Sequence, residues 1–199
     1  MKTAFSALAL LASLMFAGSA AAANVAPLGT ASESSELSGW NGGPASAAID
    51  GVIDGNYYNP NGIAHTNADY QAWWQVQLDQ AYSISGIDLY NRTDCCSGRL
   101  NNFTVSVFDG ANVVFSHTYA SFDETISGPN VSGMHIDVAN LVGDRVKVQL
   151  NGQDYLQLAE VGVSGVSPVP EPQVVAMMLL GLGLLGFRAS RQNEEKFDA

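Results

Sequence analysis

The only two cysteines of the chain, Cys95 and Cys96, are adjacent in sequence. Arg92 and Arg99 flank them, and Asp94 lies between Arg92 and the pair. Neighbouring Cα atoms are ~3.8 Å apart across a trans peptide, so a bond between these cysteines would close a small strained ring with a flat apolar surface. Guanidinium groups donate hydrogen bonds in a fixed fork. Since a sugar presents vicinal hydroxyls and an apolar C–H face, this stretch predicts a saccharide contact.

The composition suits one acidic domain. The chain has 199 residues, of which 47% are hydrophobic, and its formal net charge is -11. A chain of this size buries a real hydrophobic core. The negative charge argues against nucleic acid and against anionic lipid as partners. Most carboxylates must therefore be solvated, and a few could hold a divalent cation.

Residues 1–23 have the organisation of a secretory signal peptide. Lys2 supplies the positive start, Ala4–Ala17 the apolar run, and Ser19–Ala23 the small residues of a cleavage site. A buried N-terminal helix is the alternative, but no polar face interrupts the run. Export predicts an oxidising compartment, in which a Cys95–Cys96 disulfide can form.

Residues 167–199 form a separate C-terminal segment. A proline-rich boundary around Glu171 precedes the apolar run Val174–Phe187, and arginines follow at 188 and 191. Fourteen residues are short for a membrane span, which needs ~20, so a buried helix or a signal-like segment is the alternative by length. This order, a proline-rich box around Glu171, then an apolar helix and then a basic tail, resembles the PEP-CTERM sorting signal of bacterial exported proteins. That resemblance implies retention in the inner membrane by a short transmembrane helix, and processing near Glu171 by an exosortase.

Residues 24–166 predict an all-β domain. Short β-rich runs alternate with Gly, Asn, Asp and Ser turns, at the spacing typical of an antiparallel sandwich. The adjacent Trp73 and Trp74 could form a stacking surface for sugar. Because consecutive strand residues face opposite ways, we instead expect one ring in the core and the other at the rim. The predicted strands are Trp73–Leu78, Ile84–Asn91, Phe103–Phe108, Asn112–Thr118, Met134–Val138, Arg145–Leu150 and Leu158–Val166.

The spacing of four polar residues carries a specific resemblance. His65 is followed by 26 residues, then Arg92-Thr93-Asp94, then four residues including the cysteine pair, then Arg99. This pattern resembles the signature of F-type lectins (fucolectins), whose domain is discoidin-like. The resemblance spans roughly residues 25–166 and implies an eight-stranded antiparallel jelly-roll β-sandwich. Supporting motifs are Ala48-Ile49-Asp50-Gly51, Asn56-Tyr57-Tyr58, His65-Thr66, Trp73 to Leu78, Ile87 to Arg92, and Glu160-Val161.

The resemblance implies a sugar site at the loop end of the sandwich. His65, Arg92 and Arg99 would bind the hydroxyls, and His65 would contact the axial hydroxyl that distinguishes fucose and galactose types from glucose. The Cys95–Cys96 disulfide would lie against the C–H face, and Asp94 would orient the arginines. Shallow sites of this kind bind at roughly mM to μM, so several copies must act together, as a homo-oligomer would supply.

The resemblance also implies a structural calcium ion. Hard cations take several oxygen ligands, including backbone carbonyls. Asp50 and Glu160 match the two carboxylate positions of the family, and Asn61 stands where the family usually has a serine. The implied carbonyl donors are Ala47, Val52 and Ala159.

Three classes of function follow. The leading one is a non-enzymatic, calcium-stabilised lectin for L-fucose or a related sugar, sorted to the cell envelope. The second is a structural matrix protein that binds exopolysaccharide without fucose selectivity. The third, a glycosidase, needs two facing carboxylates, and within the motif only Asp94 is available.

Overall fold

A computed structural model describes residues 21–37, 42–59, 62–167, 177–186 and 188. The chain divides into two compact units, Met1–Val166 and Ser167–Ala199. Most of the predicted signal peptide, Asn61 and the proline-rich box lie outside the described residues.

The first unit is built from antiparallel strands, as the sequence predicts. Eight strands form one sheet, and β3 pairs with β9 in a second, two-stranded sheet. Short 3₁₀ helices cover Ala26–Leu28, Ala45–Ile49 and Ser97–Arg99. In the described part, the strands are β1 (Ala23–Asn24), β2 (Thr30–Glu33), β3 (Ala64–Tyr70), β4 (Trp73–Tyr90), β5 (Phe103–Asp109), β6 (Asn112–Tyr119), β7 (Ile126–Gly128), β8 (Val131–Leu150), β9 (Gln153–Leu158) and β10 (Glu160–Val166).

Two long strands, β4 and β8, run through both halves of the eight-stranded sheet. Each joins two strands that the sequence predicts as separate, because the backbone stays paired through irregular stretches between Gln77 and Tyr82 and between Ile84 and Gly86. The first half of β4 pairs with β2 and its second half pairs with β10. Buried side chains of both halves belong to one hydrophobic cluster, so the two halves of the sheet share the main core.

The core follows the two-residue alternation of the strands. Val105 and Val107 are fully buried in β5, and Ile87 and Leu89 are fully buried in β4. Burying such a side chain stabilises the fold by ~1.5–3 kcal/mol relative to leaving it exposed. Trp74 is also fully buried, whereas Trp73 is only partly buried, which confirms the interpretation of this pair.

Strands β3 and β9 carry the predicted histidine. Their pairing places His65 directly opposite Gln157. No strand is predicted over Ala64–Tyr70, because the segment has few of the β-branched residues that favour strands. Its pairing with β9 is therefore a tertiary effect, visible only once the two segments lie side by side.

The loop of residues 50–59 packs tightly on the segment that follows β4. The Thr93 N–H donates to the Gly55 carbonyl at 2.9 Å, and the Gly55 N–H donates to the Asn130 carbonyl at 2.8 Å. A Cβ atom at residue 55 would lie 2.5 Å from the Asn91 carbonyl oxygen, so only glycine allows this approach. The two loops are thereby held together at one end of the sheet.

In the second unit, residues 177–186 are helical. Among the residues that the structure describes, no helix combines the length and the apolar character needed to cross a membrane.

Candidate functional site

Four of the predicted sugar-binding residues line one open cavity of about 310 Å³. They come from β3, from the loop after β4 and from the 3₁₀ helix Ser97–Arg99. The structure therefore brings together His65, Arg92, Cys96 and Arg99. The other lining residues are Leu37, Tyr57, Tyr58 and Tyr155.

Arg92 is a buried cation with fixed geometry. The residue is 6% exposed, and its Nε and Nη2 atoms donate to the two carboxylate oxygens of Asp94 at 2.9 and 2.8 Å. Its guanidinium carbon lies 4.1 Å from the centre of the Tyr57 ring. Two parallel charge-assisted bonds and a stacked ring hold this guanidinium in one orientation.

Asp94 does not line the cavity. Besides Arg92, its carboxylate accepts a hydrogen bond from the Tyr57 N–H at 3.0 Å. The Arg92 side chain lowers the pKa of Asp94 below its usual 3.8, against an opposing effect of burial. Asp94 thus orients Arg92 but not Arg99. The carboxylate beside Arg99 is that of Asp154, which the sequence did not indicate.

Arg99 is held more loosely. Its guanidinium carbon lies 4.5 Å from the centre of the Tyr155 ring, and its Nε is 3.7 Å from Asp154 Oδ1. The side chains of Arg99 and Asp154 are 31% and 48% exposed, so water screens this pair. Within the described part of the chain, Arg99 makes no side-chain hydrogen bond, which leaves its donors for a ligand.

His65 is 2% exposed and both of its ring nitrogens have partners. Nδ1 lies 2.8 Å from the Thr66 carbonyl oxygen, and Nε2 lies 2.7 Å from Gln157 Nε2. Burial lowers the pKa of His65, and Arg92 and Arg99 lower it further, against the bond to Thr66. The imidazole is therefore neutral at pH 7, with the proton on Nδ1 and an acceptor lone pair on Nε2.

The two cysteines are bonded to each other. Cys96 has a left-handed backbone with φ of 60° and lines the cavity, whereas Cys95 does not. Through Cys96, the disulfide contributes a small apolar surface to the cavity that Arg92 and Arg99 also line.

The two carboxylates predicted to bind calcium lie at the turn around Gly51. Glu160 Oε1 accepts the Gly51 N–H at 3.2 Å, and Asp50 Oδ1 accepts the Val52 N–H at 2.9 Å. Glu160 is 2% exposed, and its Oε2 has no hydrogen-bond partner within the described residues. Burial raises the pKa of Glu160 to about 7, and the nearby Asp50 carboxylate adds to this increase.

The remaining described members of the predicted set would supply only backbone carbonyls. Ala47 lies in the 3₁₀ helix that ends at Ile49, Val52 follows the turn, and Ala159 directly precedes Glu160. Among described residues no cluster of three or more His, Cys, Asp or Glu could hold a metal. A cation here would depend on carbonyl oxygens for most of its ligands, which suits calcium.

The sequence did not identify three residues that shape the cavity. Leu37 and Tyr155 line it, and Gln157 contacts His65 behind it. None belongs to a spaced motif, and each reaches the site only through strand pairing or loop packing. The adjacent Tyr57 and Tyr58 do lie in a motif, but their role as cavity walls is visible only in the structure.

Family comparisons match both units. A family model described as an F5/F8 type C, "NedA-like, galactose-binding domain" matches residues 47–148. A "PEP-CTERM protein-sorting motif" matches residues 168–192. Fucolectin-3 of Anguilla japonica is 33% identical over 159 residues, which is 74% of this chain and 82% of the relative.

Solved structures of sugar-binding proteins are also similar to this chain. A Streptococcus pneumoniae fucose binding module is 29% identical with a TM-score of 0.64, and the alignment covers 73% of this chain and 99% of that one. The lectin domain of lectinolysin, solved in complex with Lewis B antigen, is 30% identical with a TM-score of 0.64, covering 73% of this chain and 98% of that one.

Asp94→Asn is expected to lower the free energy of unfolding by ~1–3 kcal/mol at pH 7, because an amide N–H₂ then faces the Arg92 donors in place of a carboxylate oxygen. Since the folded-state pKa of Asp94 is below 3.8, the pair contributes fully above pH ~4 and is lost as the pH falls through the folded-state pKa. Urea unfolding between pH 2.5 and 7 measures both effects.

Asp154→Asn is the matched control, because this exposed carboxylate faces Arg99 at 3.7 Å. Its effect should stay within ~0.5 kcal/mol. Equal losses in the two variants would contradict the structural role given to Asp94.

Proposed function

Because the chain belongs to the fucolectin family and carries a PEP-CTERM motif, we propose that it is an exported, non-enzymatic lectin for L-fucose or a related sugar with an axial hydroxyl. The single observation that carries this proposal is the cavity where His65, Arg92, Arg99 and the disulfide-bonded Cys96 meet. The names of its relatives, fucolectin and fucose binding module, support the choice of sugar.

The polar wall of the cavity provides selectivity. Arg92 and Arg99 donate to neighbouring hydroxyls, and each charge-assisted bond contributes ~1.5–3 kcal/mol. The lone pair of His65 Nε2 accepts from the axial hydroxyl. A sugar whose hydroxyl is equatorial cannot make these bonds, and that loss discriminates against it.

The apolar wall receives the carbon side of the sugar. The apolar part of the cavity lining comes from Cys96, Leu37 and Tyr58. We expect the disulfide to contact the C–H face of the ring and the apolar side chains to accept the 6-methyl group of fucose. Tyr58 is 71% exposed, so it sits at the rim and not at the base.

The proposal includes no catalysis. Glycoside hydrolysis uses a pair of carboxylates on either side of the scissile bond. Among the described residues, no Asp or Glu lines the cavity, and the nearby Asp94 is bonded to Arg92.

Arg99→Ala is expected to weaken L-fucose binding at least tenfold, because one charge-assisted donor set is lost. The thermal midpoint should hardly change, since the side chain is only loosely held. Calorimetric titration with L-fucose and a glycan array measure the loss. Arg145→Ala is the matched control: Arg145 also stacks on an aromatic ring, at 4.1 Å from the centre of Phe108, but lies outside the cavity.

Three results would contradict this part of the proposal. Wild-type affinity in Arg99→Ala would mean that the sugar binds elsewhere. Glycan binding that L-fucose fails to compete would favour a structural matrix protein that binds polysaccharide without fucose selectivity. Hydrolysis of an aryl fucoside by the protein, lost in Arg92→Ala, would indicate an enzyme.

We also propose that calcium stabilises the domain. Asp50 and Glu160 would supply carboxylate oxygens, Ala47, Val52 and Ala159 would supply carbonyls, and Asn61 belongs to the same expected set. The ion would provide the positive charge that the buried, partly unpaired Glu160 carboxylate lacks. It would thereby join the Gly51 turn to the start of β10.

Removing calcium with EDTA is therefore expected to lower the thermal midpoint, because an ion at ~100 times its dissociation constant stabilises a fold by ~2.7 kcal/mol. Glu160→Gln should abolish this calcium-dependent shift. Glu124→Gln, which changes an exposed carboxylate, should keep it. An EDTA-insensitive midpoint in the wild type would argue against the ion.

The C-terminal motif supports export to the cell envelope, with transient anchoring in the inner membrane and recognition by an exosortase. Processing near Glu171 is expected to remove the residues that follow. Intact-mass measurement on protein from a host with an exosortase, compared with a host lacking it, tests this. A full-length C-terminus in both hosts would contradict processing.

A further inference from the structure

Gln157 lies behind the sugar cavity as an internal partner of the histidine. It is 1% exposed, lies in β9 directly opposite His65, and its Nε2 atom is 2.7 Å from His65 Nε2. Gln157 itself does not line the cavity. In the described residues, the one hydrogen bond of its side chain is with the His65 ring, which is also the proposed partner of the sugar's axial hydroxyl.

The chemistry of this contact follows from the neighbouring bond. The Thr66 carbonyl oxygen can only accept, so His65 Nδ1 must carry the proton and Nε2 of the neutral ring must be an acceptor. The Gln157 amide N–H therefore donates to Nε2. With the amide turned the other way, two acceptors would face each other at 2.7 Å.

The hydrogen-bonding capacity of His65 is consequently full before any sugar arrives. An unprotonated imidazole nitrogen has one lone pair in the ring plane, and the amide occupies it. In this arrangement Gln157 Oε1 is buried without a hydrogen-bond partner among the described residues. The contact thus satisfies the histidine but leaves the glutamine half satisfied.

The ring does not need Gln157 to stay in place. Tyr57 and Tyr155 flank it, with ring centres at 5.7 and 5.5 Å, and the Thr66 bond fixes its tautomer. Removal of the amide would therefore expose the lone pair without freeing the imidazole.

We infer that Gln157 is a positioning residue of the cavity, which occupies the acceptor nitrogen of His65 in the sugar-free protein and competes with the sugar's axial hydroxyl for it. This inference rests on the proposed lectin function. It adds a determinant of affinity that acts through His65 and lies outside the spaced motif.

Gln157→Leu tests the competition, since it removes the amide while keeping a side chain of similar size. It is expected to bind L-fucose about three- to tenfold more tightly, the factor that one neutral hydrogen bond contributes. Gln149→Leu, which removes an amide that donates to the Gln71 carbonyl at 3.3 Å, is the control and should keep wild-type affinity. Unchanged or weaker binding by Gln157→Leu would overturn the inference.

Nitrogen NMR of the His65 ring provides a second readout in the unmutated protein. The expected sugar-free state has a protonated Nδ1 and an unprotonated Nε2, and a protonated Nε2 would overturn the inference whatever the variant does. Gln157→Val, with a strand-favouring side chain, replaces Gln157→Leu if the latter does not fold. If the wild-type protein does not bind L-fucose, the lectin proposal is wrong. If the wild-type protein binds L-fucose and the Gln157 variant binds it no more tightly, only the proposed competition is wrong.

Discussion

The buried cation of Arg92, a residue that is 6% exposed, determines how the site is built. An uncompensated buried charge costs several kcal/mol, so Arg92 requires a partner close at hand. Asp94 supplies two hydrogen bonds to it, and the same carboxylate accepts the Tyr57 N–H. The Asp94 carboxylate therefore joins the loop after β4, which carries both members of the ion pair, to the loop before β3. The cation of the site is fixed before a ligand arrives, and the energy of fixing it comes from folding.

The surrounding charges make this arrangement distinctive. The chain has a net charge of -11, yet the cavity wall contains two arginines and no carboxylate among the described residues. Both guanidinium groups stack on tyrosine rings, at 4.1 and 4.5 Å from the ring centres. One flat face of each guanidinium is thus covered by a ring, and the edges carry the N–H donors. Such a wall suits a neutral ligand with several hydroxyls more than an anion drawn by long-range charge.

Much of this could be predicted from the sequence because the informative residues are close together in it. Arg92, Asp94 and the cysteines lie on one loop, and alternation in β4 and β5 identifies the core. The sequence predicts two separate strands within β4 and two within β8. This division is wrong, because the backbone stays paired through the irregular stretches between them. Tyr155 and Gln157 could not be found, since only the pairing of β9 with β3 brings them to His65. The loose environment of Arg99 depends on Asp154, which is also contributed by β9.

The loop of residues 50–59 connects the two proposed ligand sites. Its first turn is held by the Gly51 N–H bond to Glu160, and its far end supplies Tyr57, whose ring stacks on Arg92. Between them, the Gly55 carbonyl accepts from Thr93. An ion bound at Asp50 and Glu160 would restrict the first turn and so reduce the freedom of the segment that carries Tyr57. Because ordering a loop opposes binding, such a restriction would favour sugar binding without any contact between ion and sugar. The two sites are thus linked by the backbone of this loop, which is held at Gly51, Gly55 and Tyr57.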